Sequence, residues 1–253
     1  MNFVEPSGFP SPSDVSSDDV GKETLEHLES FEAYAAWIYQ KIHPFLGHRV
    51  LEVGSGVGTI IPHLLSGASR ELMITDYRED YVDILQRKFD THPNVEFFHF
   101  DATSPPDSDI QQNPPDTVIC LNVLEHIKED QKALSHMFDL LQPGGKCIIL
   151  VPAFQQLYSK LDYYLEHYRR YNASALEEKM HGAGFDHSTS FYFNPVGAVG
   201  WFVSGRILKG GTIKPWHITF QRFLLPISQL VDKLPFPFGI SVVCVGIKPE
   251  TSA

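Results

Sequence analysis

The chain has 253 residues, 43% of them hydrophobic and 20% charged, enough to bury one sizeable core and typical of an ordinary globular protein. Its 20 basic and 31 acidic residues leave a net charge of −11. That excludes duplex nucleic acid as the main partner, because phosphate binding rests on clustered Lys and Arg.

Three cysteines, Cys120, Cys147 and Cys244, are far apart in the chain and make no metal-ligand spacing. Each lies in an apolar, strand-like run, so buried free thiols in a reducing compartment are expected. Neither a secretory pattern nor an apolar run of the ~20 residues that span a bilayer is present, so the expected location is cytoplasmic.

Residues 1–20, rich in Pro, Ser and Asp, are expected to be a mobile lead-in, with 21–253 as a single domain. From 22 to 42, Leu25, Leu28, Phe31, Tyr34, Ala35, Ile38 and Ile42 recur at spacings of three and four, predicting a helix that Pro44 and Gly47 end. A strand over 49–53 follows, then a turn with glycines at alternate positions (Gly54, Gly56, Gly58) and a helix over 59–65. Glu71–Thr75 reads as a second strand ending at Asp76, 80–89 as a helix, and 95–100 as a third strand ending at Asp101. Residues 104–115 carry four prolines and read as a loop. The apolar run 117–121 is a fourth strand, followed by Asn122-Val123-Leu124-Glu125-His126 and a helix to about 141. Pro143-Gly144-Gly145 then turns the chain into a fifth strand over 146–151.

Beyond 151 the texture changes, with many Tyr, Gln and charged residues up to the run Glu166-His167-Tyr168-Arg169-Arg170-Tyr171. Ser174-x-x-Glu177 predicts a capping box for a helix ending at Gly182 or Gly184. Strands over 185–193 and 241–247 enclose a segment, 193–239, with two amphipathic helices expected at 196–208 and 217–230. Strand and helix alternating at this rhythm predict parallel βαβ units, and near-continuous apolar strands agree with a sheet covered on both faces. The fold class is α/β, a Rossmann-like, seven-stranded, mostly parallel sheet with helices on both faces. Its core is 48–192 and 240–249, with an N-terminal helix and a helical insertion at 193–239. In such sheets ligands lie beyond the strands' carboxyl ends, where Glu52, Asp76, Asp101 and Asn122 all fall.

The glycine turn is one residue shorter than the G-x-G-x-x-G of a nicotinamide site, and Glu52 precedes it, which disfavours an oxidoreductase. Leu51-Glu52-Val53-Gly54-Ser55-Gly56-Val57-Gly58 resembles the first motif of the class I S-adenosylmethionine-dependent methyltransferases, and the resemblance runs over roughly 30–192 plus the last strand. It implies the cofactor S-adenosyl-L-methionine, with S-adenosyl-L-homocysteine as product. It also implies that Gly54, Ser55, Gly56 and Gly58 pass under the methionine part and that Glu52 shapes the amino-group pocket. Asp76 would accept both ribose hydroxyls, Tyr77 would cover the adenine, Asp101 would accept from the adenine amino group, and the Ala102 backbone would meet the ring edge. Asn122 and Val123 would line the methionine side. An isolated strand-end Asp is otherwise a cap or turn former.

The implied reaction moves a methyl group to an O or N atom of a small-molecule acceptor. His126 is the first candidate base, with His167 or Tyr168 as proton acceptor or orienting donor and Arg169 and Arg170 as a clamp for an anionic group. The bland reading of 166–171 is a solvated helix with locally paired charges. Val123-Leu124-Glu125-His126 also resembles a Mg²⁺-binding segment of RNA 3′-end and some quinone O-methyltransferases. Those carry a further carboxylate where Asn122 stands, so no metal is expected. For 193–239, a lid over an apolar small molecule is favoured over a homodimer surface or a membrane-resting patch for a lipid-linked acceptor. Arg206, Lys209, Lys214 and Arg222 among Trp201, Phe202, Trp216 and Phe223 fit the membrane reading. The rival class is a non-catalytic module that keeps this fold and binds a partner through the insertion.

Overall fold

A computed structural model describes residues 32–66, 70–105, 108–203 and 225–250. Its centre is a seven-stranded sheet of β1 (Arg49–Val53), β2 (Glu71–Asp76), β3 (Val95–His99), β4 (Thr117–Leu121), β5 (Lys146–Pro152), β6 (His187–Phe193) and β7 (Ser241–Ile247). The strand order is β3-β2-β1-β4-β5-β7-β6, parallel except that β7 runs against both its neighbours. This is the mostly parallel α/β sheet that the alternating apolar runs predict.

Successive side chains of each strand serve opposite faces. Leu51, Val53, Val118, Cys120, Ile149 and Val151 pack with α5 (Asp130–Leu140) and α7 (Ala173–Gly182). Val50, Leu72, Ile74, Ile119, Ile148 and Leu150 pack on the other face with α1 (Glu32–Ile42), α2 (Ile61–Leu65) and α3 (Glu79–Phe89). The three cysteines are free and fully buried. Cys120 and Cys244 flank Ile149 in one row across β4, β5 and β7, and Cys147 lies two residues back on β5. None of the described helices is long and apolar enough to cross a membrane.

Several boundaries differ from expectation for local reasons. The helix after the glycine turn begins at Ile61 rather than Thr59, because Gly56 (φ 54°) and Gly58 (φ 79°) hold the chain in a left-handed turn that no helix can enter. Inside the proline-rich 104–115, a single helical turn, α4 (Ser108–Gln112), forms between the prolines. After β4 the chain makes only a 3-10 turn at Leu124–His126, and α5 starts at Asp130. At α7 the cap is Asn172, whose side-chain oxygen accepts from the Ala175 N–H at 2.7 Å and from the Ser174 hydroxyl at 3.0 Å. Glu177, the expected partner in a Ser174 capping box, instead accepts from the Ser190 hydroxyl on β6.

Segment 166–171 is not a helix; its charges lie on an extended stretch that ends in a bridge between Tyr171 and Ala153. In the insertion, α8 (Pro195–Phe202) and a helical stretch at 225–231 are present. The remainder of the two expected helices, with Arg206, Lys209, Lys214, Trp216, Arg222 and Phe223, lies outside the described residues. So do the expected mobile lead-in at 1–20 and the start of the first helix.

Topology decides where this insertion leaves the sheet. Because β7 is antiparallel, Pro152, Ser241 and Phe193 come into register at one rim. That is the rim at which β1, β4 and β5 end, so residues 194–240 depart from the same edge as the glycine turn.

Candidate active site

Strand order reverses between β1 and β4, so the turns after these two strands face one another across the crevice where ligands bind in open α/β sheets. Gly54 (φ 71°) makes that approach close: a Cβ there would fall 2.6 Å from Cγ2 of Val123. Gly58 answers a different demand. A Cβ on it would meet Leu85 and Phe89 of α3 at 2.8 and 2.9 Å, so this glycine serves helix packing as well as the turn.

Beside the turn lie buried polar atoms left unsatisfied. Glu52 is buried, and among the described residues neither its Oε2 nor the Ser55 hydroxyl next to it has a hydrogen-bond partner. Burial pushes the Glu52 carboxyl up to about 7, eased by Ser55 and reinforced by the charge of Asp76. Asp76 closes β2, with Oδ2 accepting from the Gly56 N–H at 2.9 Å and Oδ1 from the Arg78 N–H at 3.0 Å. Burial still holds its pKa above the ordinary range. Four lone-pair sites per carboxylate leave room for further donors. Tyr77 follows, 66% exposed.

Asp101 behaves partly as a turn former. Its Oδ1 accepts from the Thr103 N–H and hydroxyl, both at 2.8 Å, and these bonds outweigh burial and lower its pKa. Among the described residues, Oδ2 has only the Ser104 hydroxyl, at 3.5 Å. Ala102 is buried, with its carbonyl 2.9 Å from His136 Nδ1. Asn122 takes a left-handed conformation (φ 55°) and its N–H donates to the Leu150 carbonyl at 2.7 Å. The expected donor-side residues thus converge on one rim, although β1 to β4 supply them from four separate strand ends.

On the Val123 side of the crevice, the structure brings together Glu125, His126 and His167. One ligand-type atom from each lies within 4.8 Å of the others. Glu125 is only 1% exposed and neither of its carboxylate oxygens has a hydrogen-bond partner among the described residues; burial pushes it up to about 8. His126 retains exposed surface, yet the protein packed around its ring and the facing His167 push it down to about 4, against a bond to the Leu165 carbonyl. The two imidazoles meet edge to face, centroids 4.6 Å apart. His167 reaches the cluster from far along the sequence because Tyr168 N–H donates to the Glu125 carbonyl at 2.8 Å and the Tyr158 hydroxyl to the His167 carbonyl at 2.6 Å.

Asp162, which sequence reasoning missed, organises this segment. It is fully buried on α6 (Lys160–Tyr164) and faces His167 Nδ1 at 3.0 Å, Arg170 Nε at 2.6 Å, and the Ser159 N–H and hydroxyl at 2.8 and 3.0 Å. Burial alone would raise its pKa, but His167 and Arg170 pull it below the usual range. The only sequence signal was a capping pattern, Ser159-x-x-Asp162.

Arg170, expected as part of a substrate clamp, has its charge engaged within the chain. It is buried, paired with Asp162, and stacked 4.7 Å over the Trp201 ring of α8. Arg169 pairs with Asp130 at 2.6 Å and donates to the Lys128 carbonyl, and Asp130 also takes Lys179 and Tyr171. Tyr168 is 41% exposed, beside the Arg169 guanidinium. Trp201 Nε1 donates to the Leu157 carbonyl at 3.0 Å, so α8 rests against the 153–171 segment.

A seven-stranded sheet of this order, with a glycine turn and acidic strand ends at its reversal, is the architecture of a class I methyltransferase. Comparison with known proteins agrees: a family model described as a methyltransferase domain matches residues 31–189. The chain belongs to this family, the class I S-adenosylmethionine-dependent methyltransferases.

Among its relatives, an S-adenosylmethionine-dependent methyltransferase of Mycolicibacterium smegmatis is 29% identical over 152 residues, covering 59% of this chain and 56% of that one. Demethylmenaquinone methyltransferase of Clavibacter sepedonicus is 26% identical over 136 residues, 54% of each chain. The highly reducing polyketide synthase PKS2 of Leptosphaeria maculans is 32% identical over 138 residues, 50% of this chain and 5% of the synthase. The chain thus spans about half the length of the first two relatives and a small part of the third. Phosphoethanolamine N-methyltransferase 2 of Haemonchus contortus shares the fold at a TM-score of 0.58 and 15% identity, over 95% of this chain and 62% of that one.

Proposed function

We propose that this chain transfers a methyl group from S-adenosylmethionine to a small-molecule acceptor, and that the acceptor loses its proton at the Glu125, His126 and His167 cluster. The observation that carries this reading is the meeting of two incomplete polar sets at one strand-order reversal. Among the described residues, Glu52 Oε2 and the Ser55 hydroxyl lack partners on the β1 side and both Glu125 oxygens lack them on the β4 side, and Gly54 packs against Val123 between them.

The donor-side residues fit an amino acid joined to a nucleoside. Glu52, once ionised, would hold the cofactor's ammonium, and Ser55 would satisfy its hydroxyl on the same part. Asp76 would accept the ribose hydroxyls with its remaining lone pairs, Tyr77 would lie over the adenine, and Asp101 Oδ2 would take the adenine amino group. When bound, S-adenosylmethionine supplies a methyl group already activated on a sulfonium, so the protein mainly positions, excludes water and removes a proton.

On the acceptor side, Asp162 fixes the His167 ring through Nδ1, leaving Nε2 for the acceptor or its proton. His126 stays neutral at physiological pH, but at about 4 it is a weak base, so the first-choice base of the sequence reading is supported less than His167. Segment 153–171 and α8 wall this side, and the departure of 194–240 from the same rim supports the reading of the insertion as a cover over the acceptor. The relatives act on differing acceptors by name, a demethylmenaquinone and a phosphoethanolamine among them. We assign a small molecule and leave O, N and C open as the receiving atom.

Calorimetry with S-adenosylhomocysteine tests the donor half: wild type should bind it and Asp76→Ala should lose most of that binding. Absence of wild-type binding would sink the proposal. His167→Ala should then cut turnover of any labelled product found in cell extract while leaving that affinity close to wild type; equal turnover would remove the acceptor-side assignment.

A further inference from the structure

Three side chains from two distant segments make a group with metal-ligand chemistry, and each is held in a way that suits a ligand. Glu125 is buried with both carboxylate oxygens unbonded among the described residues, an arrangement that costs free energy unless something else completes it. His167 presents Nδ1 to the Asp162 carboxylate at 3.0 Å, leaving Nε2 for a cation. Metal-bound histidines show this pattern, the far nitrogen tied to a carboxylate that fixes tautomer and ring orientation. His126 meets the His167 ring edge to face, with centroids 4.6 Å apart.

The backbone is pinned to match. Tyr168 N–H to the Glu125 carbonyl joins the two segments, and the Tyr158 hydroxyl on the His167 carbonyl fixes the second of them internally. These are the bonds a preformed site needs if it is not to pay for ordering its ligands at binding.

We propose that Glu125, His126 and His167 bind one divalent first-row transition-metal cation, such as Zn²⁺ or Co²⁺, beside the methyl-donor turn. Two imidazoles with one carboxylate suit these ions better than Mg²⁺ or Ca²⁺, which prefer all-oxygen sets. Three protein ligands leave at least one coordination position open, as catalytic sites do. Ligands on bonds of about 2.0–2.2 Å in a tetrahedral site lie about 3.4 Å apart. The present spread of 4.8 Å therefore closes by about an ångström of side-chain rotation. Asn122, whose lack of a carboxylate argued against a metal at the sequence level, is not needed: the third ligand is His167, more than forty residues downstream.

This inference rests on and refines the assignment of the cluster to acceptor activation: with Nε2 of His167 on the ion, an oxygen or nitrogen acceptor in the open position would have its pKa lowered by the ion and give its proton to water rather than to the imidazole. It can be judged apart from it, because metal content is read without turnover. The full chain is stripped with a chelator, dialysed, and titrated with Zn²⁺ by calorimetry and with Co²⁺ by its visible ligand-field absorption. One equivalent should bind to wild type. Glu125→Gln, close in shape, should weaken binding by more than about 100-fold, beyond what loss of a merely supporting group costs, and so should His167→Asn. Retained S-adenosylhomocysteine binding or an unchanged melting curve shows that each variant is folded. Absence of stoichiometric binding in wild type would overturn the proposal, and so would binding of equal strength in both folded variants, which would place the ion on other histidines.

Discussion

At the scale of single residues, Glu52 carries the clearest pH signature. Folded Glu52 titrates near 7 against an ordinary 4.5 because burial disfavours its charge. Between those values the folded chain keeps a proton that the unfolded chain has released. The group's contribution to stability therefore falls as pH rises through this window. Cofactor binding has the opposite sign, because a cationic amino group favours the ionised form. Affinity for S-adenosylhomocysteine should weaken about tenfold per pH unit below 7, with a proton released on binding. In Glu52→Gln both slopes should flatten, as read by calorimetry and by thermal melts at several pH values. A wild-type affinity independent of pH between 5 and 7 would place Glu52 outside the amino-group pocket.

At the scale of elements, the 153–171 segment is held by buried charge rather than by regular structure. Truncating Asp162 to Ala would leave the Arg170 guanidinium buried without its carboxylate, at a cost of about 3–5 kcal/mol, roughly 10 °C in melting temperature for a chain of this size. The double variant Asp162→Leu with Arg170→Met should recover part of that loss, since replacing both partners removes the uncompensated charge. A single variant that melts like wild type would show that Arg170 finds other partners. This is where sequence reading reached least. Glu166-His167-Tyr168-Arg169-Arg170-Tyr171 announced a segment with a purpose, but pairing across sequence distance decided which charges serve the fold. Arg169 found Asp130 on α5, and Arg170 found Asp162 and Trp201. Local capping was similarly ambiguous: two Ser-x-x-acid patterns fall between 159 and 177, and the one that engages its acid is Ser159 with Asp162, while Asn172 displaced Ser174.

At the scale of the molecule, the rhythm of apolar runs was enough to place all seven strands and the rim where the donor-side residues gather. The inner strands β1, β2, β4, β5 and β7 are filled on both faces, so their pattern survives without tertiary information, while the edge strands β3 and β6 keep exposed positions. The direction of β7 was not legible in that way, since an apolar strand buried on both faces reads alike in either direction. Yet that reversal sends the 194–240 connection to the reaction rim. The cluster of Glu125 and His126 with His167 was hidden for a related reason, because a backbone bond from Tyr168 to Glu125, not sequence spacing, brings the third member in.

The row of thiols across β4, β5 and β7 gives the protein an internal reporter of its own opening. Cys120, Cys147 and Cys244 share one buried face of the sheet, and burial raises each pKa, to about 12 for Cys244. A chromogenic disulfide reagent can therefore reach them only when strands separate, since it attacks thiolates and needs access. All three should react in a single kinetic phase whose rate follows denaturant as global unfolding does. One thiol running ahead of the others would reveal that the strands come apart in sequence, beginning wherever that thiol sits.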